Sequence, residues 1–314
     1  MPVVVCEVGP RDGLQNLPRH LTVAERIALI DRLSAAGLKR IEAVSFVNDA
    51  RVPQMAGAET VLASIRRPPG TEFAALILNA RGAERARECQ LHELRVVVVA
   101  SDTFSMRNQG LTSAEAVAGF RRIATPELRA GRRLVGVIAA AFGCPFEGEI
   151  PVGRVVDIAK ALIDAGADEV ILADTIGAGG PVQVEALFEA LEPSRGDVGV
   201  GCHFHNTRNL GFANAFAAIR CGASVLDSAI GGLGGCPFAP RATGNIATED
   251  LAFLLRSMDA PTPFDADELI AVNRWLGSVI GESLPGLVAR AGLFPDIINS
   301  GRDSATAAPR QATS

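Results

Sequence analysis

Short runs rich in aliphatic and β-branched residues recur along the chain at 3–8, 40–47, 73–78, 94–100, 133–141, 168–174, 198–204 and 224–230. Between them lie segments that open with helix start signals. Thr22-x-x-Glu25 and Thr112-x-x-Glu115 are capping boxes, in which hydroxyl and carboxylate satisfy the first free amides reciprocally. Pro181 suits a first helical position, where its missing N–H costs nothing. Apolar residues at helical spacing then follow, as at Leu210, Ala213 and Ala217. Strands alternating with helices predict parallel βα units, and eight such units match the (β/α)8 TIM barrel, whose usual size is about 250 residues. A doubly wound sheet is the alternative, but no GxGxxG follows the first strand.

The period stops near residue 257, so residues 1–257 are expected to form the barrel. One more amphipathic helix is predicted over 265–282, within a helical extension covering 258–299, and the small, polar residues 300–314 are expected to be a disordered tail. Gly-Cys-Pro-Phe occurs twice, at 143–146 and 235–238, each time after a strand. A shared turn and a shared function explain that equally well.

Composition narrows the chemistry. Hydrophobic residues are 48% of the 314, with 32 glycines besides, which suits a chain that buries a large core. The net charge of −5, without blocks of like charge, argues against nucleic acid. No apolar run approaches the length of a membrane span. Only two of the 30 basic residues, Lys39 and Lys160, are lysines, and tyrosine is absent. A P-loop, a Schiff base or a phenolic acid is therefore not expected. The six cysteines form no CxxC pair, and the first strand begins almost at Met1, so a reduced, cytoplasmic protein without a cleaved leader is expected.

In such a barrel the chemistry sits at the C-terminal ends of the strands. There the first strand runs into Glu7-Val8-Gly9-Pro10-Arg11-Asp12, the second carries Glu42 and ends at Ser45, the sixth ends in Asp174-Thr175 and the seventh in His203-Phe204-His205. The i, i+2 spacing turns both imidazoles to one face. A histidine pair also serves structural ends, but barrel closure places strand eight beside strand one and brings Asp12 and Asn245 within reach. Two His, one Asp and one Asn suit Mg²⁺ or Mn²⁺ better than Zn²⁺. Arg11 offers a permanent cation for a developing oxyanion, or an ion pair with a carboxylate such as Glu42, and the two roles are compatible. Cys236 follows four glycines in the five residues 231–235, a composition suited to a lid that carries a thiol.

Taken together, Glu7–Asn16 (EVGPRDGLQN), Ile41-Glu42 with Ser45-Phe46-Val47, Gly143–Gly148, Asp174–Gly177, His203–His205 and Gly231–Asp250 resemble the 3-hydroxy-3-methylglutaryl-CoA lyases, metal-dependent carbon–carbon lyases on a TIM barrel. The resemblance runs from residue 3 to about 257. It implies a divalent metal on Asp12, His203, His205 and Asn245, enolate stabilisation by Arg11, acid/base support from Asp174 and Glu42, and closure by Cys236. The base is left open among Asp12, Asp174, Glu42 and His203. The same likeness places Arg11, Gln15 and Ser45 at the acyl group, and Arg107 and Asn108 near CoA, although a solvated surface role suits Arg107 equally well. The implied reaction cleaves 3-hydroxy-3-methylglutaryl-CoA to acetyl-CoA and acetoacetate, and the implied assembly is a homodimer or larger. Two departures bear on the acyl group. Asn206-Thr207-Arg208-Asn209 stands where the family typically has Asp-Thr, an aromatic residue and Gly, and Ala173 stands where it often has Gly. Citramalyl-CoA or a branched 3-hydroxyglutaryl-CoA is thus an alternative substrate. A Claisen-condensing acyltransferase and a non-catalytic metal-binding paralogue are rival readings.

Overall fold

The computed structural model describes residues 3–235, 243–260 and 262–294. Eight parallel strands close into a barrel in chain order: β1 (Val4–Glu7), β2 (Arg40–Ser45), β3 (Glu72–Ile77), β4 (Glu93–Val99), β5 (Arg133–Ala139), β6 (Glu169–Asp174), β7 (Gly199–Phe204) and β8 (Val225–Ser228). The closing pair runs from Val4↔Val225 to Glu7↔Ser228, which excludes the open doubly wound sheet. Parallel neighbours need long crossovers, supplied here by α1 (Val23–Ala35), α2 (Ala58–Ser64), α3 (Ala80–Arg87), α4 (Asp102–Gln109), α5 (Ser113–Ile123), α6 (Pro126–Arg129), α7 (Val152–Asp164), α8 (Pro181–Arg195) and α9 (Gly211–Arg220), while α10 (Thr248–Ser257) follows the last strand. Both predicted capping boxes are made, at Thr22 and Thr112, and Pro181 opens α8.

Most of the apolar core lies between the strands and the helices, built on residues such as Leu29, Ile41, Phe73, Phe120, Leu172 and Phe204. The lumen is filled differently. Cys6, Val8, Val135, Ile171, Val225 and Ala229 make a small apolar cluster, and around it lie buried Arg40, Glu42, Glu93, Arg95 and Asp227. The register sets Cys6 beside both Arg40 and Asp227.

The helix predicted over 265–282 is α11 (Ala266–Ile280), started by Asp265, whose carboxylate accepts from the Asp267 and Glu268 amides, and ended by Gly281 at φ +92°. It is followed by α12 (Val288–Ala291). The extension is tied to the barrel at several points: the Asp265 amide donates to the Ala36 carbonyl at 2.9 Å, Arg32 stacks over Trp275 at 4.6 Å, and Asn273 Nδ2 donates to Glu249 Oε1 at 2.6 Å. The tail expected from Ser300 lies outside the described residues.

Candidate metal centre and active site at the barrel mouth

β1 leads into a π-helical turn, Gly9–Gly13. The Val8 carbonyl accepts from the amides of Arg11, Asp12 and Gly13 at 3.1, 2.7 and 3.2 Å. Wide turns of this kind recur at functional sites, and this one brings Arg11 and Asp12 to the mouth. A side chain at Gly9 would collide with Glu7, whose carboxylate accepts the Gly9 amide. The Arg11 guanidinium joins two carboxylates, reaching Asp12 Oδ1 at 2.7 Å and Glu42 Oε2 at 2.7 and 2.8 Å. The ion pair anticipated between Arg11 and Glu42 is therefore present, and it holds the cation beside Asp12.

His203 and His205 leave β7 on the same side, with ring centroids 5.2 Å apart. Their Nε2 atoms lie 3.9 and 3.7 Å from Asp12 Oδ2, and the three residues offer ligand atoms that all fall within 4.8 Å of one another. Asn245 completes the group through an isolated β-bridge to His205. Its Nδ2 donates to Asp12 Oδ2 and to the Leu233 carbonyl, both at 2.8 Å, which leaves Oδ1 buried without a partner. His205 Nδ1 and Glu42 Oε1 are likewise buried and unpaired. An ion about 2.1 Å from each ligand bridges atoms up to about 4.2 Å apart. Asp12 lies within that reach of both imidazole Nε2 atoms, and Asn245 adds an unsatisfied oxygen beside it, so the set fits a divalent cation.

The glycine-rich loop presses onto this centre. Gly234 sits at φ +127°, and a Cβ there would meet Asn245 Nδ2 at 2.6 Å and Asp12 Oδ2 at 3.4 Å, so only glycine lets the loop pack against the ligands. Asn16 Nδ2 holds the Gly235 carbonyl at 3.0 Å. Cys236 itself lies outside the described residues.

Burial raises the Asp12 carboxyl, but the Arg11 charge and the two imidazoles outweigh it and hold Asp12 well below the ordinary carboxylate range. Glu42 is pushed up by burial despite Arg11. Burial lowers His203, but its hydrogen bond to Asp227 and the Asp12 charge raise it overall. Asp174 is also raised by burial, against the pull of two backbone amides.

Those amides define what Asp174 does in the structure. Its register partner is Phe204 rather than His203, and its two oxygens accept the Ala178 and Gly179 amides at 2.8 and 2.9 Å, closing the turn after β6. Ser45 Oγ and Gln15 Oε1 are buried and unpaired at the ends of β2 and the π turn. Arg107 and Asn108 are exposed on α4, where the Arg107 guanidinium lies over the Phe146 ring at 4.1 Å. Of the divergent residues, Arg208 donates to the carbonyls of Ile176 and Gly177 at 3.0 and 2.8 Å, stapling the loop after β7 to the loop after β6, while Asn206 Oδ1 accepts the Gly211 amide. Neither lysine reaches the mouth: Lys39 precedes β2, and Lys160 pairs with Asp164 on α7 at 3.0 Å.

Sequence reasoning missed the layer beneath. Asp227 contacts His203 Nδ1 at 3.2 Å and takes both its oxygens to Arg95 at 2.8 and 2.9 Å. The signal was present in charges at i, i+2 within aliphatic strands, Glu93-Leu94-Arg95, and in Asp227 within Val225-Leu226-Asp227. In a barrel strand with both faces covered, such charges have no exit to solvent and must pair across the lumen.

The sequence matches the HMGL-like family over residues 2–276. It is 46% identical to the (R)-citramalyl-CoA lyase of Chloroflexus aurantiacus, covering 95% of this chain and 97% of that one. It is 39% identical to the hydroxymethylglutaryl-CoA lyase of Pseudomonas mevalonii, covering 89% and 93%. Among solved structures, an HMG-CoA lyase from Acinetobacter baumannii in complex with coenzyme A and 3-methylmalate superposes with a TM-score of 0.89 at 40% identity, over 94% of this chain and 97% of that one. With the closed barrel, the Asp12–His203–His205 cluster and Arg11 beside it, these matches show that the chain belongs to the HMGL-like family and is a carbon–carbon lyase.

Proposed function

We propose that the enzyme cleaves a 3-hydroxy-3-methylacyl-CoA that carries a carboxylate on its third carbon or one methylene away. For 3-hydroxy-3-methylglutaryl-CoA the products are acetyl-CoA and acetoacetate; for citramalyl-CoA they are acetyl-CoA and pyruvate. The observation that carries this reading is the juxtaposition at the mouth of the Asp12, His203, His205 and Asn245 set with a guanidinium fixed 2.7 Å from Asp12. A bound divalent cation, Mg²⁺ or Mn²⁺ for this imidazole, carboxylate and amide donor set, supplies Lewis acidity towards the substrate's oxygen atoms.

The remaining chemistry falls to the side chains. A base among Asp12, Asp174, Glu42 and His203 takes the proton of the tertiary hydroxyl, the bond between carbons 2 and 3 breaks, and its electron pair passes into the thioester as an enolate. Arg11, held by Glu42 and Asp12, meets the charge on the enolate oxygen. Cys236, next in sequence to the Gly235 carbonyl that Asn16 holds, returns a proton to the enolate carbon. The Ser45 hydroxyl, buried and unpaired, and the Gln15 side-chain N–H donate to the carboxylate arm of the substrate. Arg107 and Asn108 on α4 serve the CoA portion.

Citramalyl-CoA as the better substrate is favoured by one observation: the relative named for that activity shares 46% identity, against 37% and 39% for two hydroxymethylglutaryl-CoA lyases. The test is acetyl-CoA release from both thioesters with Mg²⁺ or Mn²⁺, before and after EDTA. Pockets discriminate one methylene by about 10–200-fold, so one thioester is expected to lead by that margin, with release lost on chelation and regained on adding metal. Full activity in metal-free protein, or release from neither thioester, overturns the reading.

A further inference from the structure

The two imidazoles at the mouth are held differently. His205 Nδ1 is buried without a partner, while His203 Nδ1 faces Asp227 Oδ2 at 3.2 Å with its Nε2 turned to Asp12. Asp227 is itself immobilised, because both of its oxygens accept from one Arg95 nitrogen, at 2.9 and 2.8 Å. Arg95 is fixed in turn by Glu93 Oε1 at 2.7 Å, and Glu93 Oε2 is gripped by Arg40 at 2.5 Å and Arg133 at 3.0 Å. A row of alternating charge therefore runs from the base of the lumen to one edge of the metal centre.

We propose that Asp227, clamped by Arg95, is the positioning residue of the metal centre: it keeps the proton of His203 on Nδ1 and so presents the Nε2 lone pair to the cation. The chemistry is one of acceptors. With Arg95 occupying it from the other side, Asp227 offers His203 only lone pairs, so Nδ1 must be the protonated nitrogen and Nε2 the free one. Carboxylates placed behind ligating histidines set tautomer and ring orientation in this way. His205 has no such support, and the asymmetry makes His203 the pre-set ligand.

This inference rests on the metal reading above, and binding of Mn²⁺ alone, without substrate, tests the two separately. In Asp227→Asn the side chain keeps its shape but acquires N–H donors. Mn²⁺ affinity measured by calorimetry is expected to fall about 10–100-fold, the ¹⁵N spectrum of metal-free His203 to shift away from the Nδ1–H form, and turnover to recover towards wild type at saturating Mn²⁺. Wild-type protein that binds no Mn²⁺ overturns the metal reading and this inference with it. Wild-type affinity and an unchanged His203 spectrum in Asp227→Asn, with only the melting temperature lowered, overturn this inference alone and leave Asp227 as the counter-ion of Arg95. If Asp227→Asn fails to fold, Asp227→Leu combined with Arg95→Met removes both charges together. The same loss of Mn²⁺ affinity is expected there, and full affinity in that double variant likewise overturns the inference.

Discussion

The base and the mouth of the barrel are both charged and both buried, yet they differ in what is left unpaired. At the base, Arg40 reaches Glu93 and Glu169 at 2.5 Å each, and Arg133 spans Glu72 and Glu93 at 2.8 and 3.0 Å. Every carboxylate there has a cation, and the leftover atoms of the row are guanidinium N–H donors, Arg40 Nε and, higher up, Arg95 Nη2, with the Thr71 hydroxyl beside Glu72 as one unpaired oxygen. At the mouth the leftovers carry lone pairs: Glu42 Oε1, Ser45 Oγ, Thr207 Oγ1 and Asn245 Oδ1. Leaving a buried acceptor unpaired costs about 1–3 kcal/mol. Several at one end of one barrel mark a place prepared for a ligand. Burial and charge alone do not distinguish a site from a scaffold, whereas the clustering of unsatisfied electron pairs at the mouth does.

The sharpest way to break that comparison is at Arg11. Replacing it with Lys keeps a positive charge but loses the fork that contacts Asp12 and Glu42 together. Losing one fixed donor to a developing oxyanion typically costs about 10²–10³ in turnover, so a fall of roughly that size is expected in kcat for acetyl-CoA release, with the fold retained by circular dichroism. Near-normal kcat would remove Arg11 from the chemistry and reduce it to scaffold, like Arg40. The converse test is Glu169→Gln at the base, which weakens the contacts to Arg40 and Ser224. Hydrogen bonds to charged groups contribute about 1.5–3 kcal/mol. Unfolding free energy is expected to drop by about that amount while kcat/KM of the folded enzyme stays within about threefold. A large loss of turnover at wild-type stability would show that base and mouth are not separable.

How much of this was legible follows from what each feature depends on. The eight strands were readable because the aliphatic runs alternate with capping boxes, and local chemistry settles both. The convergence of His203, His205, Asp12 and Asn245 was readable because i, i+2 spacing and barrel closure are general rules. The π turn at Gly9–Gly13 was not, since nothing in Gly-Pro-Arg-Asp-Gly separates a wide turn from an ordinary loop until the triple use of the Val8 carbonyl is seen. Asp174 was anticipated as support for acid/base chemistry, and its grip on the Ala178 and Gly179 amides depends on a turn the sequence does not specify. Asp227 was passed over because a single acid in an aliphatic strand carries no local signal; its meaning comes from Arg95, far away in sequence.

A third region lies between the two extremes and gives the smallest effect. Glu7 and Glu249 sit behind the mouth, on either side of the first glycines of the loop. Glu7 accepts from the Gly9 and Ile230 amides at 2.7 and 2.9 Å and from Thr248 Oγ1 at 2.6 Å, and Glu249 accepts from the Gly231 amide at 3.0 Å and from Asn273 at 2.6 Å. Their acceptors are satisfied, as at the base, but by neutral donors. Burial therefore prevails over the hydrogen bonds and pushes each from the ordinary glutamate value of 4.5 to about 7. Between pH 4.5 and 7 the folded protein then holds protons that the unfolded chain has released, so stability is full below that window and is lost as pH rises through it, at no more than about 1.4 kcal/mol per pH unit for each group. Glu42, Asp174 and His203 are raised too and slope the same way, while Asp12 is lowered and titrates below the window. Thermal unfolding from pH 5 to 8 is expected to show a falling melting temperature in the wild type and a shallower fall in the Glu7→Gln, Glu249→Gln double variant. Equal slopes would mean that neutral donors hold these carboxylates ionised as well as the arginines hold those at the base, and the distinction between satisfied by charge and satisfied by amide would lose its force here.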